Sequence, residues 1–328
     1  MNVRPLCFSP QVALNRRQCL VATAAGLVGL SAPTFANLPA PQLDTWVDAS
    51  RAGREIPVLL RWPVGQPLGV VLYSHGLGGK REGGDVWGQA WANAGLLVVH
   101  LQHAGSDTAA LKGGWSSLRA AGSAQQLSAR TQDIGFAVAQ MKRLQAVAGG
   151  IWSAVPLEKL VIGGHSFGAR STLLAAGWQR NGVGGAEPNA KAFIAMSPAL
   201  GAGVSLEQGR LELARATRPV LLCTGSEDGE VIGNGETPES RRMVFDALPA
   251  GKKSLLWLDQ ADHFTFAGNA KQIPSTFLAR RNAAALSSEV RHHEIIARVS
   301  THWLKQQLFN IPSQVPIGLS TKDQWLTG

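Results

Sequence analysis

Short apolar runs, each ended by glycine or a polar turn, recur along most of this chain. Residues 44–50 and 55–62 read as entry strands, and 69–73, 96–101, 160–162, 192–196, 220–223 and 254–258 read as further strands. Between them the pattern changes period. Residues 127–144 carry helical spacing, and 169–179 are rich in Ala and Leu without proline. A late helix is expected to carry His292, His293 and His302. Strands alternating with helices predict an α/β fold, a mostly parallel sheet with helices on both faces. Gly113-Gly114-Trp115, 182–189 and 229–238 are the expected flexible stretches, and no internal repeat is visible.

Three of these strands end in residues that carry chemistry. The run 160–162 leads into Gly164-His165-Ser166-Phe167-Gly168, a strand-to-helix elbow in which small residues two positions either side of Ser166 allow close approach of strand and helix. Such a corner lifts the serine hydroxyl clear of its backbone and sets it at the positive end of a helix dipole. The strand 69–73 opens into Ser74-His75-Gly76-Leu77-Gly78-Gly79, a loop able to turn N–H groups toward one point. The backbone N–H groups of Leu77 and Phe167 are the expected oxyanion donors. The runs 220–223 and 254–258 lead to Asp228 and His263, the expected acid and base. Glu227, Glu230, Asp259 and Asp262 compete for the acid role, and the spacing from Gly225 favours Asp228. Asp133 reads as a helix-packing or surface carboxylate. Of the other histidines, His75 and His165 read as shaping the loop and the elbow.

The order Ser166, Asp228, His263 is that of the α/β-hydrolase triad. With its SHGLGG, GHSFG and ADHFTFAG segments, the chain resembles the α/β-hydrolase superfamily, in particular the platelet-activating-factor acetylhydrolase and dienelactone-hydrolase-like branch, from about residue 69 to 308. Dienelactone hydrolases proper carry a cysteine nucleophile where this chain has Ser166, so a lactone substrate is not implied. The resemblance implies an α/β-hydrolase fold and an esterase acting through an acyl-enzyme.

A serine hydroxyl needs a base to become a nucleophile, and His263 oriented by Asp228 would supply it. That chemistry requires no cofactor, and no metal-ligand spacing or phosphate-binding glycine motif is present. Only about two dozen residues separate the strand ending near Met196 from the one beginning near Val220, too few for a large cap. The segment 103–122, with His103 and Trp115, is the expected pocket wall. A small or polymeric ester is the expected partner. A thioester, an amide or a polyester would suit the same triad, and a noncatalytic binding protein is the opposing class.

Residues 1–36 read as an export signal preceding a catalytic domain over 37–328. Arg16-Arg17 lead into an apolar run over 21–30, and Thr34-Phe35-Ala36 offers a peptidase site. The pattern resembles a bacterial twin-arginine signal, departing from it at Asn15 and Cys19, and implies a periplasmic or extracellular protein. The run is shorter than the ~20 residues that span a bilayer, so no stable membrane insertion is expected after processing. Cys223 is then the only cysteine left, and no internal disulfide can form. Net charge is +9, or +6 without Arg4, Arg16 and Arg17, and its scatter argues against nucleic-acid binding.

Overall fold

The computed structural model describes residues 38–112, 115–180, 182–233, 235–268, 281–312 and 318–328, all within the compact unit Phe35–Gly328. The expected signal lies outside the described residues. Nine strands form one sheet: β1 (Gln42–Asp48), β2 (Arg54–Arg61), β3 (Gly69–Ser74), β4 (Leu96–Leu101), β5 (Leu160–His165), β6 (Ala190–Met196), β7 (Val220–Glu227), β8 (Lys253–Asp262) and β9 (Gln324–Thr327). Their order is β1-β2-β4-β3-β5-β6-β7-β8-β9. The six strands from β4 to β8 run parallel, while β1, β2 and β9 are antiparallel to their neighbours.

The central strands are apolar throughout because both faces are covered. Along β3, Val70 and Leu72 pack on one side, while Val71 and Tyr73 pack on the other. The first side receives α3 (Ala124–Gln145), α4 (Phe167–Ala176), α5 (Leu206–Leu213) and α6 (Pro238–Ala247). The second receives α1 (Asp85–Asn93) and α7 (Ala283–Phe309), with Trp87, Trp91 and Trp303 in its core. A short α2 (Trp115–Ala121) precedes α3, and between β6 and β7 the chain carries α5 alone.

Some boundaries differ from the sequence expectation for local reasons. The helix expected over 169–179 starts at Phe167 and stops at Ala176, because Gly177 takes φ 124° and a Cβ there would lie 2.6 Å from the Arg215 carbonyl. Helix α1 has no clear sequence signal because Gly88 interrupts it. A Cβ on Gly88 would meet His100 Nε2 at 2.4 Å, so close packing on β4 outweighs helix propensity there. Strand β8 runs past the apolar segment to Asp262, with Gln260 N–H bonded to Ser226 Oγ at 2.8 Å.

Sheet order reverses around β3. From that strand the chain goes first to β4 on one side and then crosses to β5 on the other, leaving a crevice at the carboxyl ends of β3 and β5. Both glycine-rich motifs sit at those two ends.

Candidate active site

Ser166 follows β5 at φ 53°, ψ −113°, a conformation that L residues rarely adopt and that costs of order 1–3 kcal/mol. Its surroundings explain both glycines of the elbow. A Cβ on Gly164 would sit 2.5 Å from the Gly168 carbonyl, and one on Gly168 would sit 2.1 Å from the Ser74 carbonyl. Helix α4 therefore lies against the end of β3 at backbone contact. The loop after β3 also packs on the elbow, since a Cβ on Gly76 would be 2.9 Å from His165 Nδ1 and 3.4 Å from Ser166 Cβ. Leu77 follows Gly76 and lines the cavity above Ser166, while Phe167 is the first residue of α4. The two residues expected to supply the oxyanion donors thus lie close to Ser166, one lining the same cavity and the other next in the chain.

Ser166 Oγ–H points to His263 Nε2 at 2.9 Å, and His263 Nδ1–H points to Asp228 Oδ1 at 3.0 Å. Asp228 is fully buried. Three of the competing acids are engaged elsewhere: Asp262 holds Arg281 at 2.8 Å, Glu230 accepts from Gly235 N–H at 3.0 Å and Asp259 accepts from Ser226 Oγ at 3.4 Å. Burial by itself would raise the Asp228 carboxyl, but the Arg241 charge and the bonds from His263 and Thr224 outweigh it and hold the group below its ordinary value. Asp228 is accordingly an anion at neutral pH.

Two residues that sequence reasoning missed complete this arrangement. Ser197, at φ 53° after β6, places its hydroxyl 2.7 Å from His263 Nδ1 and donates to Asp228 Oδ1 at 2.8 Å. Arg241 of α6 lies 2.9 Å from Asp228 Oδ1 and also bonds the carbonyls of Asp228, Ser197 and Gly229. Glu236 balances it at 3.0 Å and also binds Arg170. Ser197-Pro198 is a turn-forming pair at the end of a strand, and nothing in it foretells the reach of the hydroxyl. His165 stands behind the expected base, its ring 4.8 Å from that of His263, and donates from Nε2 to the His263 carbonyl at 3.0 Å. Burial and the neighbouring His263 push the His165 imidazole well below its usual range, so it remains neutral.

The cavity over Ser166 has a volume of about 160 Å³, and Leu77, Leu111, Leu118, Val231, Ile232 and Phe264 give it apolar walls. The segment 103–122 does contribute to it, through Leu111 and Leu118. His103 does not. Its side chain is fully buried beneath the loop, held by Asp133 Oδ2 at 2.9 Å and Ser74 Oγ at 3.0 Å, because two polar partners there satisfy both ring nitrogens. Asp133 is likewise no surface group, since it also pairs with Arg54 at 2.7 Å and Arg51 at 2.8 Å. Trp115 begins α2, and its side chain lies outside what is described. Among the described residues no cluster of His, Cys, Asp and Glu is placed to hold a metal ion.

No protein-family model and no curated protein matches this chain. Solved structures do. A ferulic acid esterase from Streptomyces cinnamoneus aligns over 90% of this chain and 98% of its own, with TM-score 0.62 and 17% identity. The esterase domain of a Rhodothermus marinus protein aligns over 82% and 99%, with TM-score 0.50 and 16% identity. The chain has the α/β-hydrolase fold. At such identity the likeness establishes the architecture alone; in this chain residues at or just after the ends of β5, β7 and β8 bring Ser166 and Asp228 each within bonding distance of His263. The order Ser, Asp, His follows the order in which strands β5, β7 and β8 leave the sheet.

Proposed function

We propose that this chain is a serine hydrolase that cleaves a carboxylic ester of a small or moderately sized acyl group through an acyl-enzyme. The observation that carries the reading is the strained Ser166 with its hydroxyl 2.9 Å from His263 Nε2, at the floor of the cavity. In the first half-reaction His263 takes the Ser166 proton as the oxygen attacks the ester carbonyl, and Asp228 stabilises the imidazolium that forms. The oxyanion sits against the N–H groups of Leu77 and Phe167. His263 then protonates the departing alcohol, and water repeats the sequence to free the acid and regenerate Ser166.

A cavity of about 160 Å³ is smaller than the roughly 300–1,000 Å³ of pockets that hold drug-sized ligands, which favours a short acyl group over a long lipid chain. The two solved structures named above are called esterases, which agrees with an ester rather than an amide. Resemblance to the acetylhydrolase branch points the same way. The test is a fluorophosphonate probe together with a panel of p-nitrophenyl esters of graded acyl length. Wild type is expected to be labelled and to prefer the short esters, and Ser166→Ala to lose both labelling and turnover. Labelling that survived the substitution would remove Ser166 from this role.

Export by the twin-arginine route is part of the same proposal. Arg16→Lys with Arg17→Lys is expected to hold the precursor in the cytoplasm, and normal export of that variant would contradict it.

A further inference from the structure

Beneath the loop that carries Leu77 lies a guanidinium with no carboxylate of its own. Arg130 of α3 is fully buried, and among the described residues no acidic side chain pairs with it; Asp133, one turn along, is taken up by Arg54, Arg51 and His103. Its partners are neutral. It donates to the His75 carbonyl, to Ser106 Oγ at 2.9 Å and to Ser171 Oγ at 3.2 Å, and its guanidinium lies 5.0 Å from the centre of the Phe167 ring. Burial pulls this group down to about 9, which still leaves it charged at neutral pH. An apolar side chain of similar length would fill the space without desolvating a cation, so packing alone does not account for it.

Those contacts fall on both halves of the oxyanion hole. On the loop side Arg130 holds the carbonyl of His75 directly, and Ser106, its second partner, accepts the Gly78 N–H on its own carbonyl at 2.9 Å. These two bonds bracket Gly76 and Leu77. On the elbow side Ser171, its third partner, bonds the Phe167 carbonyl at 3.1 Å, and the ring of the same Phe167 lies against the guanidinium. Loop and helix come from different strands, so nothing in the local chain sets the distance between the two N–H donors.

A second line of bonds ends at the same donor. His103 N–H bonds His75 Nε2 at 3.0 Å, which places the His75 proton on Nδ1, and that proton goes to the Gly76 carbonyl at 2.6 Å. The Gly76 carbonyl and the Leu77 N–H belong to one peptide group, so a bond to the first strengthens the second as a donor.

We propose that Arg130 is the positioning residue of the oxyanion hole: by bridging the loop after β3 to helix α4 it sets the spacing of the Leu77 and Phe167 N–H groups, and its charge lies behind the anion formed between them. The inference rests on the serine-hydrolase reading above. Arg130 touches no reacting atom, so its loss is felt in the transition state and not in ground-state binding.

The test is Arg130→Met and Arg130→Lys, assayed with p-nitrophenyl acetate and with a trifluoromethyl ketone that forms a tetrahedral adduct on serine. For Arg130→Met kcat is expected to fall about 10²-fold, the size of effect that follows a misplacement of about 1 Å, with KM within about threefold. Ketone affinity is expected to fall by the same factor, and Arg130→Lys to recover part of both. Unchanged kcat, or a lower kcat with ketone affinity intact, would overturn the proposal. Should Arg130→Met fail to melt cooperatively, Ser106→Ala and Ser171→Ala each remove one of its bonds. Each is expected to lower kcat and ketone affinity together by about 3- to 10-fold, the worth of one hydrogen bond, and no change in either variant overturns the assignment. Ser166→Ala separates the two levels: an active Ser166→Ala defeats the serine-hydrolase reading, whereas an inactive Ser166→Ala beside a fully active Arg130→Met defeats only the role of Arg130.

Discussion

Among the described residues two Ser–His–Asp arrangements have nearly equal geometry. In one, Ser166 is 2.9 Å from His263 and His263 is 3.0 Å from Asp228; in the other, Ser74 is 3.0 Å from His103 and His103 is 2.9 Å from Asp133. Distances do not separate them. Ser74, His103 and Asp133 are fully buried, Ser74 ends a regular strand, and nothing can reach its hydroxyl. Ser166 stands on a strained corner at the floor of a cavity. What sets the proposed nucleophilic triad apart is therefore backbone conformation and access, since the same bonds without them lie sealed inside the fold.

The sharpest way to break this comparison is to delete both serines. Ser166→Ala is expected to lower kcat by about 10⁶ while melting normally. Ser74→Ala is expected to keep kcat within a few-fold but to lose about 1–3 kcal/mol of stability, because His103 Nε2 is left buried without a donor. Esterase assays and thermal melts on both variants decide it, and the comparison fails if Ser74→Ala is the inactive one.

The acids come next. Asp228→Asn is expected to reduce kcat by about 10⁴. For Asp133→Asn a loss of roughly 3–5 kcal/mol in stability is expected, since Arg54 and His103 lose the anion they share. Denaturant titration of Asp133→Asn and steady-state kinetics of Asp228→Asn measure the two effects separately.

Acid pH should act through the buried imidazoles. Burial lowers His100 to about 3 and His103 to about 4, and pushes His75 and His165 well below their usual range. Unfolded histidine titrates near pH 6.5. Below that pH the unfolded chain takes up protons that the folded chain refuses, so stability is complete above about 6.5 and falls as pH drops toward 4, by about 1 kcal/mol per pH unit for each such histidine. The lowered carboxyls of Asp133 and Asp228 keep their contribution until about pH 4, the unfolded carboxylate range. Melting temperature should therefore be level above pH 7 and drop steeply between 6 and 5. A level profile down to pH 4.5 would mean that these rings accept protons inside the fold.

Ser197→Ala is expected to have a far smaller effect on turnover than Asp228→Asn. It removes one neutral hydroxyl from Asp228 and His263, worth about 1 kcal/mol, so kcat should fall about 5- to 10-fold. An effect as large as that of Asp228→Asn would make Ser197 an essential member of the relay.

How far the sequence foretold all this follows a physical division. Ser166, Asp228 and His263 stand at strand ends, where apolar run and turn residue are neighbours in the chain, and the sheet brings such ends together. Ser197, Arg241 and Arg130 lie on a turn and two helices, and their meaning rests on contacts with residues 31, 13 and 55 positions away. Asp133 shows the ambiguity best. A lone carboxylate on a helix reads as a packing or a surface group alike, and only the approach of Arg54 and His103 from β2 and the loop after β4 decides for burial.

Ser166 and Ser197 share one further property. Among the described residues five that are not glycine have positive φ, and these two follow the adjacent strands β5 and β6 and put their hydroxyls on opposite nitrogens of one imidazole. Glycine would satisfy both backbones with less strain. At these two positions folding and the proposed chemistry rank the amino acids in opposite orders, so a sequence chosen for thermal endurance alone would drift toward glycine and lose both hydroxyls from the imidazole.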